Sequence, residues 1–261
     1  MAERNLTISI SGKGGTGKTT FTALLLKFLI QNDFKNILAV DADPAVNLGD
    51  VLGIREIKNT IGEIVDKTMN EVEDKSEDYD APALLEYKIW DSIIKNEKLN
   101  FDLLSMGKTS GDKCYCAVNK ALVAILDYLK SFYNVILIDM EAGLEHLSRG
   151  TDKNIEILFI VVNPSRMSLN TATRISEILK ECHLTFKDVY VIGNKFLTYS
   201  DDILENFCKK LNFKYLGSIP YDKDIEKLNF EGKSLLNLSE NSNAFKKIEK
   251  IFNSYTILAN R

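Results

Sequence analysis

The amino-acid sequence predicts an α/β fold with a mostly parallel central sheet flanked by helices, and three observations carry that prediction. Short β-branched runs alternate with longer segments of helical period, the rhythm of strands joined by crossover helices. Several runs, such as ILFIVV at Ile157–Val162, are apolar without alternation, as strands buried on both faces are. The first run leads straight into the glycine-rich stretch SGKGGTGKTT, which opens an amphipathic helix.

Taken in chain order, strands are expected at Leu6–Ser11, Asn36–Val40, Phe101–Ser105, Val135–Asp139, Ile157–Val162, Val189–Gly193 and Lys214–Ser218. Helical spacing falls at Thr19–Gln31, Asn119–Phe132, Asn170–Glu181, Asp201–Leu211 and Asn243–Leu258. One region breaks the rhythm. Residues 63–100 are rich in acids and helix formers, with EVEDKSEDYD at the centre, and read as a solvated, partly mobile helical excursion. With no internal repeat and no Pro- or Gly-rich linker, residues 1–261 read as one domain carrying that excursion.

Hydrophobic residues make up 45% of the chain and charged residues 27%, an ordinary balance for a soluble globular protein. A net charge of −4 argues against a generic electrostatic grip on nucleic acid. The N-terminal MAERNLTISIS lacks the basic start and long apolar core of a signal peptide. The wholly apolar runs are too short to cross a bilayer. Four cysteines in a chain of this kind point to a reducing compartment, where paired thiols serve metal or redox chemistry. A cytoplasmic protein is expected, with neither nucleic acid nor membrane as partner.

Gly12, Lys13, Gly14, Gly15, Thr16, Gly17, Lys18 and Thr19 fit G-x-x-x-x-G-K-[ST] between a strand and a helix, the setting of a phosphate-binding loop. Its glycines let backbone N–H groups close around phosphate oxygens at the helix N-terminus, where the dipole also favours anions. Lys18 is expected on the β- and γ-phosphates and the Thr19 hydroxyl on Mg²⁺, with Thr20 beside them among the binding residues. The run Val135–Ile138 ends in Asp139, a carboxylate at a strand C-terminus suited to hold Mg²⁺ through water. Gly143 follows, and its N–H can approach the γ-phosphate.

KGGTGKT, with Lys13 ahead of the glycine pair, resembles the deviant Walker A motif of the MinD/ParA/nitrogenase-iron-protein class of P-loop NTPases. The resemblance implies a two-fold dimer in which Lys13 reaches the nucleotide of the opposite subunit and meets charge developing on the transferred phosphoryl group. It also implies that Asp43, in DADPAVN after the strand ending at Val40, is the switch I aspartate that positions the attacking water. Capping a turn beside Pro44 is the plainer reading of the same residue. Asp41 reads as a turn residue, or one that supports the site from behind, rather than as the catalytic aspartate. In this class the asparagine of Asn194-Lys195 contacts the base edge. GTPases need an aspartate where this chain has Leu197, so ATP is favoured over GTP. The turn Ile219-Pro220-Tyr221 is expected to close the other side of the adenine pocket.

The stretch DKCYCAVNK sets Cys114 and Cys116 one residue apart. Two thiolates are half of a four-ligand site, and no other cysteine or histidine lies near them in sequence. A two-fold axis repeats any residue close to it, so two cysteines from each subunit would complete an S₄ site shared across a homodimer. Soft ligands suit Ni²⁺, Zn²⁺, Cu(I) or an iron–sulfur cluster and do not choose among them. Incidental thiols and a redox disulfide are the other readings. Cys182 and Cys208 fall in helical segments and read as packing residues.

CYCAVNKALVAIL after LLSMGKTSGDK, together with LIDMEAGLEHLSRGT, resembles the carbon monoxide dehydrogenase maturation ATPases, the CooC family, whose relatives serve acetyl-CoA synthase. That resemblance implies an ATP-dependent dimer that binds nickel (or zinc) through Cys114 and Cys116 and assists nickel insertion into a client enzyme. Glu141, Glu145 and His146 fall in and just after switch II. Two other classes compete: an iron–sulfur-carrying ATPase, and a MinD/ParA-like positioning ATPase. The latter would draw on the apolar face of Phe245, Ile248, Ile251, Phe252 and Tyr255 for a membrane, although such a face more often covers a sheet.

Overall fold

The computed structural model describes residues 6–57, 59–73, 81–108, 122, 124–141, 156–181, 186–196 and 201–254. Eight strands form one sheet: β1 Leu6–Ser11, β2 Ile37–Ala42, β3 Ile94–Asn96, β4 Phe101–Ser105, β5 Val135–Met140, β6 Ile157–Val162, β7 Asp188–Asn194 and β8 Lys214–Ile219. Their order is β3-β4-β2-β5-β1-β6-β7-β8, and every pairing is parallel except β3 against β4. The predicted fold class is the observed one.

All six residues of β1, β2, β5 and β6 are buried. Successive residues feed opposite layers, as the two-residue period of a strand requires. Ile37 and Ala39 join one apolar cluster while Leu38 and Val40 join the other. The first layer is built by α1 (Lys18–Gln31), α2 (Asn47–Leu52) and a C-terminal helix at Asn243–Ser254. On the opposite face lie α3 (Ile61–Glu73), α4 (Ala81–Ser92), helical residues 124–129, α5 (Arg166–Glu181) and α6 (Asp201–Leu211). A further helix, α7 at Lys223–Phe230, follows β8, and the C-terminal helix is α8.

The stretch expected as a solvated excursion holds more ordered packing than its charge implies. Thr60 and Glu63 cap α3 reciprocally: the Thr60 N–H donates to Glu63 Oε2 at 3.0 Å and the Glu63 N–H to Thr60 Oγ1 at 3.4 Å. Ile61, Ile64 and Val65 then bury against the sheet. Beyond α4 the chain adds the edge strand β3, which lay outside the expected strands.

The face of α8 is spent on the core. Phe245, Ile248, Ile251 and Phe252 are buried, and the Phe252 ring lies 5.4 Å from Phe28 and 5.7 Å from Phe159, centroid to centroid. Such ring pairs add to ordinary area burial. Tyr255 lies outside the described residues. Among the described residues no helix is long and apolar enough to cross a membrane.

Topology also locates a site. β1 sits between β5 and β6; β2 and β4 lie to one side, with β5 later inserted next to β1, and β6, β7 and β8 extend in order to the other. In open α/β sheets such a reversal leaves a crevice at the strand C-termini. The glycine-rich loop leaves β1 there.

Candidate functional site

The loop between β1 and α1 is shaped by its neighbours. Gly12 has φ +144°, and a Cβ there would lie 2.3 Å from the Val161 carbonyl oxygen at the end of β6. Thr16 folds back so that its N–H and its hydroxyl both donate to the Lys13 carbonyl, at 3.2 and 2.8 Å. Gly14 and Gly15 are exposed at the tip, and Lys13 is half-buried beside them.

Gly17 closes the loop in the left-handed region, φ +92°, immediately before α1. No side chain caps this helix and no acid stands in its first turn. Its leading N–H groups therefore present the positive end of the helix dipole to the loop, the arrangement that takes an anion.

Lys18, Thr19 and Asp139 come together beneath it. Lys18 is buried, and its charge works to lower the Asp139 pKa. Thr19 hydrogen bonds to the Asp139 carboxylate, and Thr22 Oγ1 lies 3.4 Å from Asp139 Oδ1 while donating to the Lys18 carbonyl at 3.0 Å. Even so, burial pushes the Asp139 carboxyl up, to about 6. Asp139 thus presents a buried hard oxygen at the strand end, and Thr19 a second one beside it. That donor set fits Mg²⁺.

Asp41 is the register partner of Asp139 on the neighbouring strand and is fully closed to solvent. Its Oδ1 accepts from the Asp43 N–H at 3.1 Å and its Oδ2 from the Leu48 N–H at 2.7 Å. Burial first, then the Asp139 charge, pushes its carboxyl up to about 7 against those two bonds. Asp41 therefore anchors both the turn that carries Asp43 and the start of α2. Asp43 itself is half-buried, and its Oδ1 accepts from the Ala45 N–H at 2.9 Å.

Next to the loop lies a cavity of about 190 Å³ whose lining includes Gly17, Thr20, Asn194, Lys195 and Pro220. The residues expected around a base are therefore gathered in one place, from the ends of β7 and β8. Asn194 Nδ2 donates to the Thr16 carbonyl at 2.7 Å, so the same side chain that faces the cavity also holds the phosphate loop. A Cβ on Gly17 would lie 2.2 Å from that nitrogen. The Lys195 N–H donates to the Ile219 carbonyl at 2.8 Å and ties the two loops together.

Tyr221, from the turn expected to close this side, lines it as well, whereas sequence reasoning missed Asp222, Ile225, Glu226 and Asn229, supplied by α7 and the turn before it. The Tyr221 hydroxyl donates to Glu226. Asp222 caps α7 by accepting from the Asp224 N–H at 2.9 Å and also accepts from the Ala244 N–H at 3.1 Å. An aspartate two residues after a proline, with Asp224 and Glu226 in the next turn, is a helix-start signal that was available.

Cys114, Cys116, Gly143, Glu145, His146 and Cys182 lie outside the described residues. Cys208 is buried in α6, and burial pushes its thiol up to about 12, as for a packing residue. Among the described residues no group of three or more His, Cys, Asp or Glu side chains is placed to hold a metal ion.

Comparison with known proteins bears on the whole chain. Residues 7–236 match the CobQ/CobB/MinD/ParA nucleotide binding domain. An uncharacterized ATP-binding protein of Methanocaldococcus jannaschii is 40% identical over 94% of this chain and 96% of its own. The carbon monoxide dehydrogenase accessory protein CooC of Rhodospirillum rubrum is 30% identical, over 89% of this chain and 90% of its own. Among solved structures, the septum site-determining protein MinD of Pyrococcus horikoshii, complexed with Mg-ADP, superposes with a TM-score of 0.69 at 26% identity. That superposition covers 98% of this chain and 97% of that one.

Proposed function

The chain belongs to the CobQ/CobB/MinD/ParA nucleotide-binding family, and from that premise we propose that it is an Mg²⁺-dependent ATPase acting as a nickel metallochaperone. The observation that carries the ATPase part is the convergence of Lys18, Thr19 and Asp139 under an uncapped helix N-terminus, beside the Asn194 cavity.

In this reading the triphosphate lies along the loop, with the N–H groups of α1 and the Lys18 ammonium on its oxygens. The adenine enters the cavity between Asn194 and Pro220, with Lys195 at its margin. Thr19 and Asp139 hold Mg²⁺, which supplies charge neutralisation at the phosphates when bound. Asp43 orients the water that attacks the γ-phosphate, and the Gly143 N–H supports the oxygen that gains charge. Lys13 acts in trans, on the nucleotide of the second copy of a homodimer.

Nickel is the cargo. Cys114 and Cys116 of each subunit provide four thiolates at the two-fold axis, so the site exists only while the dimer is closed. Zinc would occupy the same ligands. Hydrolysis opens the dimer and releases the ion toward a client, carbon monoxide dehydrogenase or acetyl-CoA synthase. Support comes from the C-x-C spacing and from the similarity to CooC.

The test is a titration of Ni²⁺ into the reduced, anaerobic protein, reading thiolate charge-transfer absorption and molecular mass together. One nickel per dimer, lost in Cys114→Ser/Cys116→Ser, is the expected result. A wild type that binds no nickel through these thiols sinks the chaperone reading and leaves an ATPase of another use. The runner-up is a MinD/ParA-like positioning ATPase, favoured by the likeness to MinD. The burial of the α8 face weighs against a membrane role for that helix.

A further inference from the structure

At the opposite end of the sheet from the phosphate loop, α5 and α6 finish and β7 and β8 begin. Between them lies an open groove of about 610 Å³, within the range of ligand-sized sites. Its floor is apolar: Leu179, Phe186, Val189 and Phe213 are half-buried there and pack onto the core behind. Lys180, Lys187, Lys209 and Lys214 also line it, with Asp188 as the one acid in the lining. In a chain of net charge −4 this is a local reversal of sign.

Part of that charge has an ordinary use. Lys180 and Lys209 stand in the last turns of α5 and α6, where a helix dipole favours cations. Lys214 pairs with Asp188 at 2.6 Å and Lys209 with Glu205 at 2.8 Å, both at the surface. Neither use accounts for Lys187, nor for the apolar floor that the described residues leave only half-buried. Among the described residues no carboxylate pairs with Lys180 or Lys187.

We propose that this groove docks an acidic segment of a partner protein, with apolar side chains of the segment on the floor and its carboxylates on the lysine rim. The chemistry selects against a compact anion. Two helix C-termini meet here, and their carbonyl ends oppose a single dense negative charge. Long lysine side chains at the rim instead reach carboxylates spread along a chain, while their stems extend the apolar surface. The groove is also too open to enclose a small molecule, which favours a segment laid across it. Because the floor joins the core cluster behind β6 and β7, the docking face is continuous with the strands that carry the Asn194 end of the nucleotide cavity.

The experiment uses the full chain and fluorescence anisotropy at physiological ionic strength. The probe is a fluorescein-labelled peptide, EFDELEDFEELD, compared with its neutral isostere QFNQLQNFQQLN, an oligoglutamate of equal length and an oligothymidylate. The acidic-apolar peptide should bind more tightly than all three. Lys180→Glu/Lys187→Glu should weaken it by at least about 10-fold, as expected when two rim charges are reversed. The control pair Lys246→Glu/Lys250→Glu, on exposed positions of α8, should leave it unchanged. Unaltered thermal midpoints and ATP hydrolysis exclude misfolding, and Lys180→Gln/Lys187→Gln serves if the reversal fails to fold. No binding of the peptide overturns the proposal. So does equal binding of the oligoglutamate or the oligothymidylate, which marks mere polyanion attraction, or equal loss in the control pair.

Discussion

Asp41 and Asp139 are register partners on adjacent parallel strands, both sealed from solvent, and burial pushes both carboxyls up, to about 7 and about 6. In the unfolded chain each would titrate near the ordinary aspartate value of about 3.9. The native state therefore binds more protons than the unfolded state from about pH 4 to about pH 7. The stability that these protons provide is present in acid and is lost as pH rises through that window.

A pH series follows from this pair. Without Mg²⁺ or nucleotide, the thermal midpoint should decline between pH 5 and pH 7.5, and Asp139→Asn should flatten the decline. Added Mg²⁺ and ATP should raise the midpoint most at the alkaline end, where the carboxylates are ionised. Differential scanning fluorimetry in EDTA and in Mg²⁺ reads all three. A wild-type midpoint that climbs over this window, with Asp139→Asn behaving identically, removes the buried pair as a determinant.

Gly17→Ala tests the fit between the loop and the cavity lined by Asn194. The new Cβ meets the Asn194 amide nitrogen at 2.2 Å, and the left-handed backbone adds strain of about 1–3 kcal/mol. Binding of a fluorescent ATP analogue should fall by at least about 10-fold, which corresponds to 1.4 kcal/mol. Adding Asn194→Ala relieves the clash but not the φ angle and also frees the loop from the amide, so the double variant is compared with Asn194→Ala alone and should still bind more weakly. Binding equal to that of Asn194→Ala alone would show that backbone strain is negligible here.

Hydrolysis should separate the two lysines of the loop. Lys13→Ala should lower kcat by about 10³-fold or more, the scale of a cation supplied in trans, with ATP binding only mildly affected. Lys18→Ala should lose binding itself. Mixing Lys13→Ala with a hydrolysis-dead Asp43→Ala protein tests the trans arrangement, because a mixed dimer has one complete site. Activity in the mixture equal to the sum of the separate proteins excludes it.

Phe252→Ala probes α8. Its ring is 3% exposed and sits against Phe21, Phe28 and Phe159. Truncation should destabilise the fold by about 3–5 kcal/mol, read by urea denaturation. Wild-type protein should stay in the supernatant with anionic vesicles, with or without ATP. Pelleting with vesicles would mean that the helix leaves the core.

Where the sequence was legible, a single physical pattern made it so. The apolar runs of β1, β4 and β6 match their expected boundaries, because strands covered on both faces leave little freedom in composition. β2, β5, β7 and β8 run on by one or two residues, into the positions that carry Asp41, Asn194 and the carbonyl of Ile219. Short elements escaped notice. β3 is three residues of IKN on a sheet edge, and α2 is six residues entered from Val46 in the left-handed region with no side-chain cap. Neither carries enough periodicity to be read. Around the nucleotide cavity, β-strand ends announced Asn194 and Pro220, whereas Glu226 and Asn229 enter only because α7 turns back across the opening. The anchoring by Asp41 was invisible for a related reason: both its partners are backbone N–H groups, which leave no mark in a sequence.

The hydrogen bond from Asn194 to the Thr16 carbonyl has a consequence for how a nucleotide is weighed. With adenine in that cavity, as proposed, base and triphosphate are not independent fragments, since whatever steadies the amide also steadies the loop. The affinity of ATP should therefore exceed what adenosine and tripolyphosphate, measured separately, would give when linked. With Asn194→Ala that surplus should disappear while tripolyphosphate, the fragment proposed to sit on the loop, is held more loosely as well.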